Sequence, residues 1–148
     1  GVILYGSLAY QLLEHWKTVV DNPTGNKAED EFALIMDQIP KIVFSHTLKN
    51  TDWDSATIAQ RDLKEEVAAL RQQPGTNILV GSPGLINALT QLNLIDEYQL
   101  CIHPVIAGSG LPLFKNIDAK MIHKLIQTKI LGSGAIVLYY EPAIRLSN

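Results

Sequence analysis

The sequence predicts a three-layer α/β/α domain in which a mostly parallel central sheet ends in an antiparallel C-terminal hairpin. Three observations carry this. Strand-sized apolar runs alternate with helix-periodic stretches as far as Leu92. At two places, Val2 to Val19 and Asn77 to Leu92, a strand passes through a glycine turn straight into a helix. Beyond Asp96 the strands follow one another with no helix between them.

The clearest unit is Asn77-Ile-Leu-Val-Gly-Ser-Pro-Gly-Leu-Ile-Asn-Ala-Leu89. Ile78, Leu79 and Val80 form a short apolar run suited to a central strand. Ser82 can cap the next helix and Pro83 suits its first position. Leu85, Ile86, Leu89 and Leu92 recur at helical spacing as one buried face. Gly81 and Gly84 have no side chain to obstruct the free N–H groups of that helix start, which makes it a seat for a phosphate. The same composition also serves merely to redirect a chain, and the local pattern alone leaves both readings open.

With 148 residues, 47% hydrophobic and 18% charged, the chain has the makings of one globular domain, residues 1–148, with a real core. A net charge of −3 and the lack of a Lys/Arg cluster interleaved with aromatics argue against nucleic acid as a partner. The longest apolar runs are strand-sized, which argues against a membrane span. The opening Gly1-Val-Ile-Leu has neither Met nor a charged n-region, so no signal peptide is expected, and the domain reads as truncated at its N-terminus. Cys101 is the only cysteine, so no internal disulfide is expected and a reducing, cytoplasmic setting fits best.

In order, Val2 to Tyr5 is a strand ending at Gly6-Ser7, and Leu8, Leu12, Leu13, Trp16 and Val19 follow a helical rhythm. Asp21 to Asn26 is a loop. From Lys27, the residues Phe32, Ile35, Met36 and Ile39 mark a helix with acids in its first turn, stopped by Pro40. Lys41 to Ser45 is a strand, the polar stretch His46 to Asp54 a turn-rich connection, and Thr57 to Gln60 a brief strand. Asp62 and Glu65 form a capping-box pattern ahead of a helix whose inward stripe is Leu63, Val67 and Leu70, and Gln73-Pro-Gly75 ends it. Asp96 to His103 alternates, with Tyr98, Leu100 and Ile102 on one side and Gln99, Cys101 and His103 on the other. After the glycine-rich loop Pro104 to Pro112, strands at about Met121 to Ile130 and Ala135 to Tyr140 form a hairpin across Gly132-Ser-Gly134. Ligands of open parallel sheets bind beyond the carboxyl ends of the strands. That rule brings Gly6-Ser7, Ser45-His46-Thr47 and Gly81 to Gly84 into one crevice suited to an anionic, nucleotide-sized ligand.

Lys41-Ile-Val-Phe-Ser-His-Thr-Leu48 ahead of Trp53, then Ile78-Leu-Val-Gly-Ser-Pro-Gly-Leu85, Leu94-Ile-Asp-Glu-Tyr98, and Pro104-Val-Ile-Ala-Gly-Ser-Gly110 with Leu113-Phe114 resemble, in order, the RibD C-terminal family of riboflavin-biosynthesis reductases. The resemblance implies a dihydrofolate reductase-like fold. It also implies an NADPH-dependent reductase of a small pterin-like or pyrimidine-like heterocycle, related to 5-amino-6-(5-phosphoribosylamino)uracil reductase and usually a homodimer. By the same resemblance Gly6, Ser7, Ser45, His46, Thr47, Gly81, Ser82, Pro83, Gly84 and Leu85 hold the dinucleotide. Members often carry Gly-Arg-x-Thr-Tyr at the first loop, where this chain has Gly6-Ser-Leu-Ala-Tyr10 and lacks the arginine. Enzymes acting on the ribosylated pyrimidine place a Glu where Val80 stands. The family's first strand has no counterpart here, so no catalytic acid is identified.

Other chemical candidates are sparse. His15, His46, His103 and His123 stand singly without metal-ligand spacing, as surface or satisfied histidines do, so no metal is expected. Only His46 falls in a crevice loop, where its cationic form could serve a phosphate in place of the arginine. Gly81-Ser-Pro-Gly84 is not a hydrolase elbow. Asp96 and Glu97 face opposite ways and suit a strand entry, Cys101 a small core or interface position, and Trp16 and Trp53 packing. The uncharged run Ala135 to Tyr140 reads as a bare sheet edge, which a second copy of the chain would cover. The reading from a different class is a non-catalytic nucleotide- or small-ligand-binding module on the same fold.

Overall fold

Three consecutive buried side chains, Ile3, Leu4 and Tyr5, mark Val2–Gly6 (β1) as a strand covered on both faces. The computed structural model describes residues 1–75, 77–117 and 119–143, and the chain forms two compact units, Gly1–Ile86 and Asn87–Asn148. In the first unit β1 passes without a loop into α1 (Ser7–Asp21), followed by α2 (Lys27–Gln38), β2 (Lys41–Phe44), β3 (Ala56–Ile58), α3 (Leu63–Arg71) and β4 (Ile78–Val80). At its end α4 (Pro83–Gln91) begins. All pairings among the four strands are parallel, in the order β3-β2-β1-β4.

The register aligns Ile3 with Lys41 and Tyr5 with Val43 on one face of this sheet. There Ile3, Tyr5 and Val43 join Tyr10, Met36, Trp53 and Ala56 in the core, with Leu13, Trp16, Ile39 and Leu48 packed against them. Both tryptophans are packing residues, as expected. Ile78 to Val80 are a strand but not a central one, because β4 is the edge of this sheet and Leu79 is 48% exposed. The helix starts follow their sequence signals. Asn26 accepts from the Ala28 N–H at 3.1 Å, and Asp62 accepts from the Glu65 N–H at 2.8 Å.

Lys41 is the feature that local pattern did not reveal. It follows Pro40 at the start of β2, yet it is 1% exposed. Its Nζ donates to the Ile39 carbonyl and to Ser55 Oγ, both at 2.8 Å, and to the Asp37 carbonyl at 3.5 Å. It also lies 4.1 Å from the centre of the Trp53 ring, whose Nε1 donates to Asp37 Oδ1 at 2.5 Å. One cation thus ties the end of α2 to residues 53–55. Burial lowers its pKa, with the negative charge of Asp37 acting the other way.

In the second unit β5 (Tyr98–Ile102), β6 (His123–Ile130) and β7 (Ile136–Pro142) form an antiparallel sheet in the order β5-β7-β6. The expected hairpin is present, with the Leu131 N–H donating to the Ala135 carbonyl at 2.8 Å and Gly134 at φ +82°. The bare edge expected at Ala135 to Tyr140 is not: β7 is paired on both sides, so its uncharged run is that of an interior strand. Leu92 lies beyond α4 and is 40% exposed rather than part of a buried face. Cys101 is exposed instead of belonging to a core, 3.6 Å from His103 Nε2. Tyr98 is buried, bonded to Thr90 Oγ1 at 2.9 Å, with His123 edge-on to its ring at 4.8 Å. His123 Nε2 is buried without a hydrogen-bond partner among the described residues, so this histidine is not a satisfied one there. Among the described residues no helix is long and apolar enough to cross a membrane.

Replacing Lys41 with Met leaves its acceptors unpaired, and equilibrium urea unfolding should show a loss of about 1–3 kcal/mol. The pH dependence has a definite sign. The folded state releases the Lys41 proton at a lower pH than the unfolded chain does, so the contribution of this group rises with pH up to its ordinary value of 10.5. The stability difference between wild type and K41M should therefore grow from neutral to alkaline pH.

Candidate functional site

Parallel pairing decides where the candidate loops fall. Gly6 is aligned with Phe44, and Leu4 with Val80, so β2, β1 and β4 end close together along one sheet edge. The residues that follow these ends are Ser45-His46-Thr47, Ser7 and Gly81 to Leu85. All ten predicted site residues therefore lie in the first unit, at the carboxyl ends of three adjacent strands. At about 4.8 Å per strand spacing, the three ends span about 10 Å.

A close contact holds two of these turns together. A Cβ on Gly6 would stand 3.0 Å from Ser82 Oγ, too near for a side chain to fit without movement. Ser82 is buried, and its carbonyl accepts from the Ile86 N–H at 2.9 Å, which makes it the residue that opens α4, with Pro83 next. Gly81 and Gly84 differ from Gly6. A Cβ at Gly81 would make ordinary contact with the Tyr5 ring at 3.4 Å, and one at Gly84 would meet nothing within 4 Å. The backbone at Gly84 is thus open to close approach by a ligand.

The start of α1 is also open. Gly6 occupies its N-cap with extended backbone, no side chain caps it, and no acid lies in its first turn, whereas α2 and α3 have both. Its first N–H groups and the positive end of its dipole are available to an anion. In the third loop Ser45 Oγ accepts from the N–H groups of Thr47 at 3.1 Å and Leu48 at 3.0 Å. Ser45 thereby builds the turn, while His46 and Thr47 are exposed on it. Leu85 and Ser7 are half-buried. These features fit a dinucleotide: uncapped helix N–H groups, glycine backbone with room above it, and exposed polar side chains in a neighbouring loop.

Local motifs did not reveal two neighbours. Tyr5 is buried on β1 with its ring against Gly81, and burial raises its pKa, so the phenol keeps its proton at neutral pH. Tyr10 is buried on α1 with a hydroxyl that faces the amides of Asp52 and Trp53 without making a hydrogen bond of ordinary geometry. A cleft of about 720 Å3 runs along β3, lined by segments that include Lys49 to Thr51, Ala56 to Arg61, and Glu66. None of the ten predicted residues lines it. Among the described residues, no group of three or more His, Cys, Asp and Glu could hold a metal ion.

The model of the RibD C-terminal domain matches residues 2–138. The chain belongs to the RibD C-terminal domain family. It is 32% identical over 140 residues to the uncharacterised protein YyaP of Bacillus subtilis, covering 94% of this chain and 72% of YyaP. Among solved structures it is similar to one from Shewanella sp. PV-4 named for riboflavin biosynthesis, with a TM-score of 0.72, 14% identity and coverage of 97% and 74% of the two chains. A diaminohydroxyphosphoribosylaminopyrimidine deaminase/5-amino-6-(5-phosphoribosylamino)uracil reductase from Thermotoga maritima matches with a TM-score of 0.59 at 14% identity, over 96% of this chain and 45% of its own. These RibD-like structures share the mixed α/β fold that the sequence predicted.

The two kinds of glycine should respond differently to the same change. Gly6→Ala makes the Ser82 hydroxyl give by a few tenths of an ångström and should cost up to about 1 kcal/mol in chemical denaturation. Gly84→Ala fills open space and should stay within about 0.5 kcal/mol of wild type.

Proposed function

We propose that this domain is an NADPH-dependent reductase of a small pterin-like or pyrimidine-like heterocycle. The observation that carries the reading is the alignment of three turns at the carboxyl ends of β2, β1 and β4, with an uncapped helix start at one and an open glycine at another. NADPH, when bound, supplies the hydride. The protein supplies binding, orientation and exclusion of water. Gly6, Ser7 and the start of α1, with Gly81 to Leu85, would take the phosphates at backbone N–H groups. His46 and Thr47 would meet the cofactor from the neighbouring loop.

The substrate differs from the ribosylated pyrimidine of riboflavin synthesis. Val80, at the end of β4, stands by resemblance to the family where enzymes of that step place a Glu, and a polar substrate group facing valine would go unpaired at a cost of about 1–3 kcal/mol. The same valine, with the arginine-free first turn, favours one second reading, a non-catalytic nucleotide-binding module. Two measurements separate the readings. Titration with NADPH and NADH, followed by fluorescence, tests the dinucleotide, and no response to either at millimolar levels overturns both readings in their nucleotide form. Consumption of NADPH with a panel of heterocycles tests turnover, and binding without turnover on any of them favours the module. Gly84→Ala should weaken NADPH binding while leaving stability unchanged, because it fills the space a ligand needs.

A homodimer is part of the proposal, but not through the edge first expected. Ile102, Ile136 and Ile130 stand side by side across β5, β7 and β6, exposed by 54%, 37% and 75%. Such a row suits burial against a second copy. Light scattering should give twice the chain mass at tens of micromolar, and Ile130→Lys should shift it toward monomer. An unchanged mass in that variant places the contact elsewhere. The single exposed thiol of Cys101 suits a reducing compartment such as the cytoplasm.

A further inference from the structure

The helix pair of the first unit, α1 and α2, carries apolar side chains on its outer side. On α1, Leu8 and Leu12 are 70% and 72% exposed, and Trp16, half-buried, continues the same line one turn further on. The Trp16 ring meets the Phe32 ring of α2 edge-on at 4.8 Å. Phe32 and Ile35, one turn apart, are 44% and 54% exposed. Leu8, Leu12, Trp16, Phe32 and Ile35 therefore form one stripe across both helices, and of the five only Trp16 also packs against the core of the sheet. An apolar stretch of this extent on a helix surface marks a place that another molecule covers.

The charge around the stripe decides what kind of molecule that is. Residues 7–38 hold six carboxylates and two ammonium groups, a net −4, against −3 for all 148 residues. Both ammonium groups are committed: Lys17 donates to the Asp52 carbonyl, and Lys27 lies 3.7 Å from Glu31. Two of the carboxylates are committed as well. Asp30 accepts from the N–H groups of Thr24 at 2.8 Å and Gly25 at 3.2 Å, and Asp37 accepts from Trp53. Glu14 and Asp21, both on α1, are exposed and make no hydrogen bond or ion pair among the described residues. The stripe thus lies in a negative field. A second copy of the chain would bring the same −4 against it, and an anionic membrane would be repelled likewise.

We propose that the α1–α2 face is the docking surface for a cationic amphipathic helix of a partner protein. The apolar side of that helix would lie along the stripe, and its lysines and arginines would face the carboxylates of α1 and α2. A helix fits because Leu8, Leu12 and Trp16 stand four residues apart, a ridge of the kind that seats in the groove of a second helix. An extended strand needs an open sheet edge, which a helix pair does not offer. Burial of the leucines supplies the affinity, and the opposite charges orient the approach. The inference is independent of the dinucleotide reading, since the stripe contains none of the ten residues at the strand ends.

The test is a titration of the full chain with a synthetic leucine/lysine peptide of about 18 residues, its leucines on one helical face, followed through the amide NMR signals. Signals of α1 and α2 should shift, and those of the β5-β7-β6 sheet should stay in place. The same peptide in scrambled order, and a leucine/glutamate counterpart, should each bind about tenfold or more weakly, and added salt should weaken the leucine/lysine peptide. Leu12→Ser and Ile35→Ser alter exposed side chains, so the fold should persist while each weakens binding about tenfold. Glu14→Lys combined with Asp21→Lys should weaken it too, and should reduce its salt dependence. Equal binding of the three peptides, or shifts that spare α1 and α2, overturns the inference. A lower mass for Leu12→Ser than for the wild type in light scattering puts a second copy on this face. Co-sedimentation with phosphatidylcholine/phosphatidylserine vesicles that Leu12→Ser abolishes puts a membrane there. Either of these results overturns the inference as well.

Discussion

The contact between Gly6 and Ser82 is the constraint on which the site depends. Two strand-to-helix turns meet where a Cβ on Gly6 would stand 3.0 Å from the Ser82 hydroxyl, so glycine lets them pack closely without displacing that side chain. Because β1 lies between β2 and β4, fixing its carboxyl end against the β4 turn also fixes it relative to the β2 turn through the Gly6–Phe44 alignment. The starts of α1 and α4 are thereby held near each other with their N–H groups facing the same sheet edge. Gly84, two residues beyond the same serine and within α4, answers a different need. Nothing surrounds it, and its lack of a side chain matters only to something that arrives.

A second constraint works from inside the core. The connection from β2 to β3 has to run back along the sheet, because the two strands are parallel. Lys41 anchors its return by donating to Ser55 and lying over Trp53, and Trp53 is bonded to Asp37 on α2. Lys17 Nζ adds a bond from α1 to the Asp52 carbonyl. An apolar residue at position 41 would avoid the cost of burying an ammonium, but it would leave carbonyl acceptors unpaired. The buried charge is therefore best understood as positional. It holds the far end of a connection whose near end carries Ser45-His46-Thr47 and whose middle lines the cleft.

The elements were legible in the sequence where one local rule governs them. Asp62 caps α3, as an Asp with a Glu three residues on ahead of an apolar stripe commonly does, and the β1-to-α1 passage shows as a strand run, a glycine and a helical period. The position of a strand within a sheet is a different matter, since it is set by residues far away in the chain. Ile136 to Tyr140 carry no charge because neighbours flank them on both sides, yet the same run was equally consistent with an exposed edge. The three apolar residues of β4 pointed the other way, to a central strand, and lie at an edge. The three candidate loops, Gly6-Ser7, Ser45-His46-Thr47 and Gly81 to Gly84, fall together because the parallel-sheet rule converts strand order into a common edge. The cleft was not, because its wall is assembled from separate stretches, each unremarkable alone. Lys41 and Glu66 escaped for the same reason: their partners at Ser55 and Arg61 are not at a spacing that any helix or strand period marks.

The two departures from the family pattern differ in kind, and that difference shapes what this chain can do. An arginine that attracts phosphate acts through a charge whose field falls off gradually, so cations on neighbouring segments can take over its work without occupying its position. A glutamate that receives a substrate hydrogen bond acts only at hydrogen-bond distance and in one direction. At Val80 that function is lost to any residue standing elsewhere on the sheet. On the proposed reading, the first change is therefore compatible with the same class of cofactor. On the same reading the second removes an acceptor for one polar heterocycle, so the proposal sets substrate identity, rather than cofactor identity, apart from the family pattern.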